Sequence, residues 1–265
     1  MTKPILFEQF DSHAVITLNR PEVLNALNQE MLNELKPIIA DLSQCQKTKC
    51  VVIKANGKHF MAGGDVKMFA TLTMPGDERH HALKPLMLDL HDCMQQLAQL
   101  PMPVVASVQG AVAGFGLGLM MASDLIIASD KAHFNLAYIK IGLCPDGLVT
   151  YWLPRKIGLN KAMELALTGR RLEACEAHTL GLINQLVDAD HLITETDKLV
   201  ELLCGHSILS LRHTKQLLRF SLDHDMSTQS EQELDAFGQC VANDDFVEGV
   251  KAFIEKREPN FKNLA

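Results

Sequence analysis

Short runs with almost no polar residue constrain this chain more than any other feature. CVVIKA (50–55) and PVVASV (103–108) are too short for typical helices and read as strands buried in a core. Segments with helical spacing surround them. From Gln29 to Gln44 the apolar residues Met31, Leu32, Leu35, Ile38, Ile39 and Leu42 recur at helical intervals, with Pro37 expected to kink the helix. A longer helix is expected from about Asp77 to Leu100, disturbed by Pro85. ILFEQF and HAVITLN, joined at Asp11-Ser12, open the chain as a hairpin. DLIIAS, HFNLA and INQLV (183–187) read as further strands, and a helix is expected to open at Pro145-Asp146-Gly147. Three helical segments and no strand signal fill Ser207 to Lys256. The pattern predicts an α/β core over residues 1–200 and a helical C-terminal region over residues 201–265.

Such a core needs apolar material, and 47% of the 265 residues supply it. A charged fraction of 22% excludes disorder. The net charge of −7 argues against nucleic acid as the main partner, since phosphate backbones want a basic face. An anionic ligand would need a local basic cluster or helix N-termini. Seven scattered cysteines form no C-x-x-C pair, which fits reduced thiols and a cytoplasmic setting. The first twenty residues carry charges where a secretion signal needs an apolar run. The longest apolar stretch, Ala111 to Ala122, is 12 residues and falls short of the ~20 needed to span a bilayer, so no membrane span is expected. No metal site is expected either: no H-x-x-x-H occurs, and Cys175 with His178 on one helical face makes only two ligands. No G-x-S-x-G elbow marks a serine nucleophile.

Two glycine-rich segments sit between a strand and a helix: FMAGGD (60–65) and GAVAGFGLG (110–118). Glycines there let backbone approach a ligand closely and aim unpaired N–H groups at negative charge. Tight turns and close helix packing are the plainer alternative. The second segment is not a dinucleotide fingerprint. It reads G-x-G-x-G through Gly114, Gly116 and Gly118, and Tyr138 stands where a ribose-binding acid is needed.

These segments also carry a resemblance. HFMAGGD, PMPVVASVQGAVAGFGLGLMMASDLIIAS, FNLAYIKIGLCPDGLVTYWLPRKIG and EGVKAFIEKREPNFK follow LNRPEVLNAL in the order and spacing of the crotonase (enoyl-CoA hydratase/isomerase) superfamily, which they resemble across essentially the whole chain. The resemblance implies a crotonase-like spiral of ββα units with a helical C-terminal trimerisation region. It implies acyl-CoA thioester substrates, with coenzyme A entering as part of the substrate and no separate cofactor. Carried over by position, the N–H groups of Gly64 and Phe115 would form an oxyanion hole, although Phe115 departs from the glycine common there. Ala62 and Lys67, at the first loop, would contact coenzyme A, Lys67 by reaching a phosphate. Phe253 and Lys256, in AFIEKR, resemble residues that family members extend from a neighbouring subunit toward the adenine and ribose-phosphate. That sharing implies a homotrimer, or a hexamer of two trimers. A solvated charge on a terminal helix is the alternative for Lys256.

Hydratases of the family use two glutamates, and their positions fall here on Gly118 and Tyr138. Neither is a carboxylate, so ordinary hydration is disfavoured. Asp146, in GLCPDG, resembles the acid that several isomerases of the family place in this loop, and a nucleophilic aspartate holds the same position in its 4-chlorobenzoyl-CoA dehalogenases. As sequence alone, Pro-Asp-Gly also reads as a helix cap. The implied activity is an enoyl-CoA isomerase with Asp146 as acid and base, its carboxyl raised by burial among Leu143, Leu148, Trp152 and Leu153. An isomerase of 1,2-epoxyphenylacetyl-CoA and a CoA-binding protein without turnover are the alternatives.

Overall fold

The strands that read as buried are buried on both faces of one sheet. The computed structural model describes residues 3–261; Met1, Thr2 and the last four residues, including Lys262 of the EGVKAFIEKREPNFK segment, lie outside the described residues. The strands are β1 (Ile5–Gln9), β2 (His13–Leu18), β3 (Cys50–Ala55), β4 (Val104–Val108), β5 (Ala111–Ala113), β6 (Leu125–Ser129), β7 (His133–Asn135), β8 (Leu172–Glu173) and β9 (Gln185–Val187). The main sheet runs β1-β2-β3-β4-β6-β9, antiparallel at the opening hairpin and parallel thereafter. Alternate residues divide between two cores, as the two-residue period of a strand requires. Ala14, Ile16, Val51, Ile53, Val104 and Ala106 join the main cluster. Val15, Val52, Val105 and Ile127 face the other way, onto Leu192, Val200 and Leu203.

Helices cover both faces: α1 (Gln29–Gln44), α2 (Val66–Ala70), α3 (Gly76–Ala98), α4 (Phe115–Ala122), α5 (Val149–Ile157), α6 (Leu159–Thr168), α7 (Ala174–Thr179) and α8 (Leu192–Cys204). The side chain of Asn28 caps α1 by accepting from Met31 N–H at 3.0 Å, and Met31, Leu32, Leu35, Ile39 and Leu42 turn into the core. Pro37 and Pro85 do not interrupt α1 and α3 as expected. Both prolines are exposed, so the carbonyl each leaves without an intrahelical partner lies on the water side of its helix. A boundary at residue 200 falls inside α8, which packs on β3, β4 and β6.

A second, three-stranded sheet, β5-β7-β8, was only partly legible: HFNLA marks β7, but β5 and β8 are three and two residues long and carry no periodic signal. Its strand β5 leads straight into the second glycine-rich turn, at Gly114, and so into α4. The chain closes with α9 (Ile208–Phe220), α10 (Met226–Val241) and α11 (Asp244–Glu255), the three helical segments expected there. No helix among the described residues is long and apolar enough to cross a membrane.

Candidate active site

The two glycine-rich turns are zipped together in parallel. Met61 N–H donates to the Ala111 carbonyl at 3.2 Å, and the Met61 carbonyl accepts from Ala113 N–H at 2.9 Å. Beyond this bridge the backbones touch. A Cβ added at Gly63 would lie 3.5 Å from the Cα of Gly114, and one added at Gly114 would lie 3.5 Å from the Cα of Gly63. Gly114 also holds φ +51° with ψ −125°, a conformation closed to residues with side chains. The next residues along each loop are Gly64 and Phe115. Neither backbone N–H donates to a protein acceptor among the described residues. For Phe115 the reason is positional, since it opens α4 and its N–H precedes the helical ladder. The structure therefore brings the two expected donor residues to adjoining turns, with a helix N-terminus behind one of them.

The Phe115 side chain is turned away into the fold. It is 3% exposed, and its ring fills the space beside Gly147, where an added Cβ would meet Cδ2 at 2.7 Å. Position 118 is likewise closed to a carboxylate. A Cβ at Gly118 would collide with the carbonyl oxygen of Gly147. The loop carrying Asp146 thus rests on α4 through two contacts, one demanding glycine at 118 and one at 147, where φ is +58°.

Asp146 is not the side-chain cap that Pro-Asp-Gly suggests. The helix opens at Val149 behind Leu148, with no side-chain cap, and Asp146 contributes only its backbone carbonyl, accepting from Val149 N–H at 3.1 Å. Its carboxylate instead accepts a hydrogen bond from the Tyr138 hydroxyl at 2.6 Å. Burial raises the Asp146 carboxyl above its ordinary range, against the opposing pull of the Tyr138 hydrogen bond and the charge of His91 on α3. Burial and the neighbouring carboxylate push the Tyr138 phenol up, which keeps its proton in place as a donor. One expected wall is missing: Leu143 is 45% exposed, whereas Leu153 is buried and Leu148 and Trp152 are half-buried.

Tyr138 also lies beside the glycine-rich turns, its ring 3.8 Å from a Cβ built on Gly114. The sequence marked Tyr138 only by what it is not, neither a ribose-binding acid nor the second glutamate of a hydratase. Its position was the available signal, since a side chain there points at the same site whatever its chemistry. His91 had no motif to announce it.

The expected coenzyme A residues are less gathered. Ala62 is half-buried and its N–H is taken by the Leu24 carbonyl at 3.0 Å. Lys67 is exposed on α2, immediately after the first turn. Phe253 is 86% exposed on α11 and Lys256 caps that helix with φ +53°. No described hydrogen bond or ion pair links either one to the Gly64 and Phe115 turns. A cavity of about 690 Å³ between α3, α5 and α9 is lined by Leu148 and Trp152 but by none of Gly64, Phe115, Tyr138 or Asp146. No group of three or more His, Cys, Asp or Glu suited to a metal occurs among the described residues.

Known proteins resemble this chain in sequence and in fold. The profile of the enoyl-CoA hydratase/isomerase family matches residues 8–264. "Probable enoyl-CoA hydratase echA8" of Mycobacterium bovis is 35% identical over 257 residues, covering 97% of each chain. The 1,2-epoxyphenylacetyl-CoA isomerase of Escherichia coli is 34% identical, covering 93% of each. Among solved structures, an enoyl-CoA hydratase from Bacillus anthracis superposes with a TM-score of 0.90 at 30% identity, over 98% of this chain and all of the other. The fold expected from the resemblance is the observed one, and the chain belongs to the enoyl-CoA hydratase/isomerase family.

Proposed function

We propose that this protein is an enoyl-CoA isomerase that moves a double bond between the 3 and 2 positions of an acyl-CoA. The reading rests above all on position 118, where the Gly147 carbonyl occupies the place of a glutamate side chain. The base is then Asp146, bonded to the Tyr138 hydroxyl beside Gly114, since Asp65 is engaged in capping α2 and pairing with Arg20. The Asp146 carboxylate takes a proton from C2 of a 3-enoyl thioester. The electron pair moves into the conjugated system, and the N–H groups of Gly64 and Phe115 hold the negative charge on the thioester oxygen. The carboxyl then returns the same proton to C4, giving the 2-enoyl product and restoring the carboxylate. Each preorganised donor of this kind is typically worth about 10²–10³ in rate. Burial of Asp146 strengthens it as a base, and the Tyr138 hydroxyl fixes the orientation of its carboxylate.

Coenzyme A is held at Ala62 and Lys67, and by Phe253 and Lys256 reaching from a neighbouring copy in a homotrimer or hexamer. The bare apolar faces of α9 to α11 support such an assembly. Cysteines that are all free support a cytoplasmic setting. The Escherichia coli relative supports a second reading, isomerisation of 1,2-epoxyphenylacetyl-CoA.

Purified protein incubated separately with 3-enoyl-, 2-enoyl- and epoxyphenylacetyl-CoA, with products resolved by mass and retention, tests these readings. A double-bond shift without hydration is the expected result. Brisk hydration of 2-enoyl-CoA would overturn the isomerase reading. Binding without turnover of any of the three would make the protein a CoA-binding member of the family.

A further inference from the structure

The oxyanion turns are held by a side chain well upstream of them. Asn25 is fully buried and sits in the left-handed region at φ +55°, directly after Leu24 at φ +57°. Two consecutive non-glycine residues in that region persist only where their surroundings hold them. The Asn25 side chain makes three of the four hydrogen bonds open to an amide, including both that its Nδ2 can donate. Its Oδ1 accepts from Arg20 N–H at 2.7 Å, and its Nδ2 donates to the carbonyls of Asn56 at 3.0 Å and His59 at 2.9 Å.

Those two carbonyls belong to the segment that becomes the first oxyanion turn. Three backbone bonds continue the clamp along it. Ala62 N–H donates to Leu24 O at 3.0 Å, Leu27 N–H to Gly63 O at 2.8 Å, and Asp65 N–H to Leu27 O at 3.0 Å. The residues flanking Gly64 on both sides are therefore anchored to the loop that Asn25 shapes, while the Gly64 N–H stays free. His59 carries the clamp to the second turn, because its Nδ1 accepts from Ala111 N–H at 3.0 Å, where β5 begins. From Ala111 the chain runs four residues to Phe115.

We propose that Asn25 is a positioning residue of the oxyanion hole, setting the Gly64 donor through the 56–65 segment and the Phe115 donor through His59. The inference rests on the reading of Gly64 and Phe115 as the donors. Asn25 touches no substrate; it fixes where the two amides point. A donor misplaced by a fraction of an ångström loses part of its worth in the transition state while ground-state binding is nearly kept.

Two variants separate the clamp from the backbone conformation. Asn25→Asp keeps the size and the acceptor but turns an oxygen toward two carbonyls. Asn25→Gly keeps the left-handed conformation and deletes the clamp. The readout is the absorbance of a bound thioester whose carbonyl is conjugated to an electron-donating aryl group, which shifts to the red as the carbonyl is polarised. Wild type should show the red shift. Both variants should bind this probe within about threefold of wild type but with most of the shift lost, and kcat should fall about 10- to 100-fold with KM little changed. Folded variants that keep the full shift and full kcat overturn the inference and leave the oxyanion reading intact. Loss of folding in both variants also overturns it, since Asn25 would then serve the fold at large. Absence of a red shift in wild type removes the oxyanion reading itself, and this inference with it.

Discussion

The sheet with its covering helices and the last three helices are built to different degrees of completeness. Strands β2, β3, β4 and β6 are buried nearly throughout, and the sheet is packed on both faces. In α9, α10 and α11 only Ile208, Ala236, Asp245 and Ala252 are buried. Leu218, Leu234, Phe237, Val247, Phe253 and Ile254 stand exposed instead. Apolar surface on that scale is what the proposed contact with another copy would cover. The difference teaches a division of labour. The groups proposed to move the proton and hold the enolate lie in the finished part, whereas the groups proposed to grip coenzyme A at a distance lie in the unfinished part. Substitutions in the first should act on kcat, and those in the second on KM and assembly.

The largest expected effect tests the finished part. Asp146→Asn keeps an acceptor for the Tyr138 hydroxyl but cannot carry a proton, so isomerisation should fall by about 10²–10⁴. Thermal stability should hold or rise slightly. The folded carboxyl keeps its proton to a higher pH than the unfolded one, so Asp146 lowers stability as pH rises through that window and above it, and asparagine removes the cost. The same raised carboxyl places the acid limb of wild-type kcat above the usual carboxylate range, with activity lost as pH falls. Tyr138→Phe removes a bond that favours the charged form and should move that limb to still higher pH. Full isomerase activity in Asp146→Asn would erase the division at its strongest point.

A pair of glycines gives the next effect. At Gly118 a methyl group meets the backbone carbonyl of Gly147, which cannot swing aside as a side-chain tip could. Gly118→Ala should cost about 1–3 kcal/mol of stability and displace the Asp146 loop, with activity falling further than stability alone explains. At Gly238, inside α10, nothing lies within 4 Å of an added Cβ. Gly238→Ala should therefore gain about 0.5–1 kcal/mol from helix propensity. Thermal melts of both variants check the contrast. A gain at 238 that appears only in dilute protein and vanishes on assembly would sharpen it, by placing that face of α10 under another copy.

How far the sequence carried these arguments depended on whether a feature was local. Strands buried on both faces announce themselves by composition, and paired glycines before a helix announce turns. Gly118 and Tyr138 were readable as absences. Their structural meaning was not, because it depends on Gly147 approaching α4 and on a hydroxyl meeting a carboxylate eight residues away along the chain. Pro-Asp-Gly misled for a related reason. The dipeptides around Asp146 favour a cap, but the loop turns through Leu148 at φ +61° and frees the carboxylate for Tyr138. Asn25, inside LNRPEVLNAL, was visible only as part of a motif, since its three partners come from two separate stretches.

The smallest expected effects lie in the unfinished part, and they decide whether it serves the site at all. Lys256→Gln keeps most of the length of the side chain and a polar tip at the left-handed cap position while removing the charge. An exposed charge facing a phosphate is worth little, so KM for an acyl-CoA should rise only about two- to fivefold, with kcat unchanged. A substrate lacking the ribose phosphate should show no difference between wild type and this variant, because the lysine then has nothing to meet. Phe253→Ala should raise KM for both substrates alike, since a ring stacked on adenine does not sense the phosphate. Light scattering on the same samples should give a multiple of three chains throughout. A monomer with wild-type KM, or a Lys256→Gln variant whose kcat falls while KM holds, would break the comparison from the other side. It would mean that the last helices act on the reacting groups or not at all.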